Sequence, residues 1–97
     1  MNDDQKESIQ AAAALLKALA HPLRLCIVRN LCRKGSCNVS YMQGCLAVPQ
    51  STLSQQLGIL RAAGVLRGTR NGIEVSYEVI DEKTRRLLEV LFPEDRL

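Results

Sequence analysis

The chain is expected to form a mainly α domain with one β-hairpin, in the order α-α-α-α-β-β-α. Three observations lead there. Apolar residues recur every three or four positions up to about Ala63, and then alternate with period two from Ile73 to Val79. Asn71-Gly72 stands between the two would-be strands, a strong short hairpin signal. Aromatic residues are only Tyr41, Tyr77 and Phe92, so the core must be built from Leu, Ile, Val and Ala, which suits packed helices.

Ninety-seven residues make one domain, 1–97, with no room for a second. The first helix, Gln5 to Ala20, carries Ile9, Ala12, Ala13, Leu16 and Leu19 or Ala20 as a single stripe. His21-Pro22 breaks it, because a residue before proline avoids helical angles while proline suits a new first turn. The second helix, Leu23 to Cys32, turns Leu23, Ile27, Val28 and Leu31 inward and ends in Arg33-Lys34-Gly35-Ser36. Asn38 is placed to cap a short third helix bearing Val39, Met42 and Leu46.

Val48-Pro49 is the next break, with Pro49 at the first helical position. Gln50 to Ala63 follow as a fourth helix with Leu53, Leu57 and Leu60 inward and Gly64 as its left-handed stop. In the hairpin, Ile73, Val75, Tyr77 and Val79 share the face to be buried. Asp81 caps a last helix with Leu87, Leu88, Leu91 and Phe92, ended by Pro93. There are no repeats or low-complexity tracts.

Net charge is +3, a mild excess that by itself fits ordinary solubility. Its placement is more informative: from Arg24 to Arg70 there are seven Arg or Lys residues and no Asp or Glu. A phosphate-facing surface has this character. Two short helices meeting at a tight break, the second opening on small polar side chains, make a helix-turn-helix. With Leu53 and Leu57 inward, Gln50, Ser51, Ser54 and Gln55 point outward, and Thr52 lies beside them. Gln pairs bidentately with adenine, while Ser and Thr reach phosphates or bases. Arg67, Arg70 and Asn71 lie at or near the hairpin tip, where a wing meets backbone or minor groove. The expected architecture is therefore a winged helix-turn-helix, with 38–64 as the helix-turn-helix and 65–80 as the wing.

The runs Leu19-Ala20-His21-Pro22-Leu23-Arg24-Leu25, Pro49 to Leu57 (PQSTLSQQL) and Leu60-Arg61-Ala62-Ala63-Gly64-Val65-Leu66 resemble the ArsR/SmtB family of bacterial repressors. The resemblance spans about Ala11 to Asp81. It implies a homodimer held by the first and last helices (1–20 and 81–97) that binds a double-stranded, inverted-repeat DNA operator. It also implies release when an inducer, often a metal or metalloid, is bound, with no cofactor needed for DNA binding. By the same resemblance Gln50, Ser51, Ser54 and Gln55 face the major groove. Gln56 departs from the pattern, since many members carry His there.

No stretch reads as an export signal, and no run approaches ~18 apolar residues, so a cytoplasmic protein with no membrane partner is expected. Cys26, Cys32, Cys37 and Cys45 then belong to a reducing compartment, leaving packing, metal binding or redox sensing as their uses. The family's inducer sites carry over poorly. A Cys-x-Cys near the third helix is represented by Cys37 alone, and the last helix has Asp81 with no His after it. Cys32 and Cys37 flank a short loop where their sulfurs can meet, beside Arg33 and Lys34, which would favour the thiolate. Cys26 and Cys32 are separated by roughly 9 Å of helix rise. Cys45 joins the pair only if the third helix folds it back.

The thiols are suited to As(III) or a similar soft metal, or to oxidants and persulfides. Free Cys also serves as a small buried hydrophobe. A protein-interaction module is the alternative of another class, though the acid-free middle argues against it. An enzyme using a Cys nucleophile lacks a base, because His21 is the only histidine and sits at a turn.

Overall fold

A computed structural model describes residues 1–95; the last two residues of the expected 81–97 dimerisation segment lie outside the described residues. The elements are α1 (Asp3–Leu19), α2 (Pro22–Lys34), β1 (Ser36–Asn38), α3 (Val39–Leu46), α4 (Gln50–Ala62), β2 (Leu66–Asn71), β3 (Glu74–Val79) and α5 (Glu82–Leu91). A 3-10 turn, Pro93–Asp95, follows. This is the expected winged helix with one strand more than the sequence revealed.

Local chemistry accounts for most boundaries. Asn2 caps α1 in a capping box with Gln5, so the helix starts two residues before the expected Gln5. His21 caps α2 by accepting from the Leu23 amide through Nδ1 at 3.2 Å, and α1 and α2 bend by 93° there. Asn38 caps α3 through the Tyr41 amide. Asp81 caps α5, taking both the amide and the hydroxyl of Thr84, whose fully buried side chain is thereby satisfied. Pro49 is the N-cap of α4 rather than its first helical residue. Gly64 has φ +78, the expected left-handed stop.

The missed strand is β1. The sequence reads Gly35-Ser36 as a plain turn, but Ser36, Cys37 and Asn38 pair antiparallel with Glu78, Tyr77 and Ser76. Three residues are too few to display a period of two, and their pairing partners lie about forty positions away. The sheet order is β1-β3-β2.

The hairpin register also differs in detail. Asn71 pairs with Glu74, so Gly72 and Ile73 form the two-residue connection, with Gly72 at φ +69. A glycine at the first central position is what a type II′ turn requires. Ile73 therefore sits at the tip, 98 % exposed, and not on the buried face with Val75, Tyr77 and Val79. Phe92 follows α5 as its C-cap and packs on the core.

One core joins α2, α4, the sheet and α5: Ile27, Val28 and Leu31; Leu53, Leu57 and Leu60; Val65, Leu66 and Val79; and Leu88. Burying each such side chain is worth about 1.5–3 kcal/mol. By contrast α1 contributes Leu19 to it, with Leu15 packed against it, and Ile9 and Leu16 stand 55 % and 56 % exposed. On α5, Val90 and Leu91 are likewise 76 % and 55 % exposed. No single helix among the described residues is long and apolar enough to cross a membrane.

Candidate nucleic-acid interface

α4 is anchored by Leu53, Leu57 and Leu60, each essentially inaccessible to solvent. Helical spacing then leaves Gln50, Ser51, Ser54 and Gln55 exposed, with Thr52 half-buried. No acid lies among them. The other four long helices are each capped by a side chain, whereas Pro49 offers α4 none. The first-turn amides of α4 thus remain as donors beside this polar face.

α3 packs against α4 through the turn Ala47-Val48-Pro49, with Ala47 in the left-handed region at φ 53. The wing carries the other predicted contacts. Arg67, Arg70 and Asn71 are all exposed, but they are not equivalent. Arg67 is held by Glu78 on the neighbouring strand, its Nε donating at 3.1 Å. Arg70 has no ion pair among the described residues, and its cross-strand partner is Val75. Gly68 faces the Tyr77 ring, where an added Cβ would meet the ring edge at 3.0 Å.

Two features are not visible in the sequence. Arg24, at the start of α2, donates to Ala18 O at 2.6 Å and to Gln56 Oε1 at 2.8 Å. It fastens the end of α1 to α4, which explains how Gln56 is used: it supports the helix from behind. The signal was an Arg among apolar neighbours, with its partner thirty-two residues away. Arg61, exposed in the last turn of α4, adds a cation beside the polar face.

The thiols divide into two settings. Cys32, half-buried on α2, faces α5 and feels Arg85 and Glu89; burial pushes its thiol above the ordinary value. Cys37, buried on β1, has the Lys34 cation near it, and burial pushes its thiol up too. From the sequence, Arg33 and Lys34 are expected to favour the thiolate. Lys34 does act in that direction on Cys37, but the loss of solvent outweighs it. Cys26 and Cys45 are exposed. Among the described residues no three His, Cys, Asp or Glu side chains gather to hold a metal ion.

No family model matches the chain, but individual proteins do. The biofilm growth-associated repressor of Agrobacterium fabrum is 40 % identical over 90 residues, covering 88 % of this chain and 76 % of that one. The transcriptional repressor PagR of Bacillus anthracis is 38 % identical over 86 residues, covering 89 % and 86 %. The HTH-type transcriptional repressor SmtB of Mycobacterium tuberculosis is 46 % identical over 76 residues, covering 78 % and 56 %. This chain belongs to the ArsR/SmtB family. Its members named here are transcriptional regulators, not enzymes. The crystal structure of PagR superposes with a TM-score of 0.82 at 37 % identity, covering 89 % of this chain and 98 % of that one. The ArsR/SmtB fold is thus shared along 89 % of the chain.

Proposed function

We propose that this ArsR/SmtB chain is a homodimeric transcriptional repressor that binds an inverted-repeat DNA operator and needs no cofactor to do so. One observation carries the reading: the acid-free face of Gln50, Ser51, Ser54 and Gln55 on a helix whose opposite face is locked into the core. In the major groove these side chains read base edges, with Thr52 and the first-turn amides of α4 on phosphate. Arg67, Arg70 and Asn71 follow the adjacent backbone or minor groove. The exposed apolar stripes of α1 and α5 supply the dimer contact that the small core leaves room for. Two α4 helices related by a two-fold axis then read two half-sites about one helical turn apart.

Fluorescence anisotropy on inverted-repeat DNA from the chain's own promoter tests this. Tight binding that weakens steeply with salt is expected. No binding at any salt would sink the repressor and favour a winged-helix protein-interaction module instead.

Induction, in the same proposal, runs through the thiols Cys32, Cys37 and Cys45. As(III) or a similar soft metal engages them, or an oxidant or persulfide modifies a pair. Since no three-ligand cluster exists among the described residues, a pair of thiols is the unit on which the proposal rests. Cys37 on β1 and Cys45 on α3 sit on elements in contact and are the favoured pair, whereas Cys32 faces α5. Cys37→Ser should leave DNA binding intact and abolish release by As(III). Release surviving in both Cys37→Ser and Cys32→Ser would exclude the thiol route.

A further inference from the structure

The seam between α2 and α5 opens into a hollow of about 300 Å³, at the lower end of the ~300–1,000 Å³ range that small ligands use. Leu88 and Phe92 form apolar wall, and Arg29, Arg33 and Arg85 bring three guanidinium groups to it. The cationic end already holds a carboxylate, that of Asp95. Arg29 Nε reaches Asp95 Oδ2 at 2.6 Å and Nη2 reaches Oδ1 at 2.9 Å, the two-pronged geometry by which Arg selects carboxylates. Arg33 lies 3.9 Å from the same group. Arg29 is further oriented by stacking 4.2 Å over the Phe92 ring.

Asp95 is weakly attached by anything else. It belongs to a one-turn 3-10 segment with no buried residue, and among the described residues its amide makes one backbone bond, to Phe92 O at 3.0 Å. Such a turn is held by its side-chain charges: Asp95 on Arg29 and Arg33, and Glu94 on Arg29 at 3.6 Å. A carboxylate from solution makes the same two-pronged contact with Arg29 when that turn releases Asp95.

We propose that this hollow is a binding site for a small organic monocarboxylate with a flat apolar body. Its carboxylate replaces that of Asp95 on Arg29, and its body lies on Phe92 and Leu88. One negative charge replaces another, and Glu89 in the same wall disfavours a second. The neutral, half-buried Cys32 thiol lines the hollow without adding charge. The site is on the helix that Arg24 fastens to α4, so occupancy bears on the helix that the repressor reading assigns to DNA. The binding itself is independent of that reading.

Benzoate is a suitable probe, titrated into the full-length reduced protein without DNA and followed by NMR of the Leu88 methyls and Phe92 ring. Saturable shifts at both residues are expected. Asp95→Asn, which frees Arg29, should bind benzoate about tenfold more tightly, a change of about 1.4 kcal/mol. Arg29→Gln should lose binding; if its melting curve shows that it is unfolded, Arg33→Gln replaces it and should weaken binding several-fold. Benzamide, of the same shape without the charge, should not bind. The proposal is overturned by absence of shifts at Leu88 and Phe92 in Asp95→Asn. It is equally overturned by benzoate affinity that ignores both substitutions, or by benzamide binding as well as benzoate.

Discussion

Arg67 and Arg70 lie three residues apart on one strand and meet different surroundings. Glu78 neutralises much of Arg67, while Arg70 is available to a phosphate. Arg70→Ala should weaken operator binding at every sequence and lower the salt slope by about one, as loss of a phosphate contact does. Arg67→Ala should change both less, because DNA must first compete with Glu78; equal effects in a salt titration would contradict this. The thiols differ in the same way. Burial raises the Cys32 and Cys37 values, so below the ordinary thiol range both stay protonated, and their thiolates appear only as pH rises through the raised values. Iodoacetamide at neutral pH should label the exposed Cys26 and Cys45 first, which mass spectrometry of brief reactions will show.

At the level of elements, the turn between α3 and α4 stores strain that the sequence does not advertise. Ala47 occupies the left-handed region, unfavourable for a residue with a Cβ. Ala47→Gly should raise stability by roughly 1 kcal/mol in denaturant unfolding with an unchanged m-value. The 3-10 turn after α5 depends instead on charge. The Arg29 guanidinium holds the Asp95 carboxyl below its usual range, so the pair stabilises the fold above that range. The contribution is lost as pH falls through the lowered value. Melting temperatures of the native protein and Asp95→Asn should therefore differ at neutral pH and converge in strong acid.

For the molecule as a whole, the proposed assembly rests on the exposed apolar stripes of α1 and α5. Charges placed there disturb no core contact of the single chain, so Leu16→Glu with Leu91→Glu should leave the helical content intact. Sedimentation should report a monomer, and operator affinity should drop by orders of magnitude, because a single half-site cannot supply the contacts of two. A dimer surviving both substitutions would place the interface elsewhere.

The winged architecture, the helix caps Asn38 and Asp81 and the outward face of α4 were all legible in the sequence. They rest on local periodicity and capping chemistry, which act within a few residues. The strand β1, the Arg24–Gln56 and Arg29–Asp95 pairs and the separate settings of Cys32 and Cys37 were not. Each joins positions that are brought together only when the core closes. Ile73 falls between these cases: alternation assigned it to the sheet face, and the pairing of Asn71 with Glu74 moved it to the turn. Local rules determined the five helices and the hairpin. Register, burial and the long-range charge pairs were decided by tertiary packing, because their energies depend on neighbours remote in the chain.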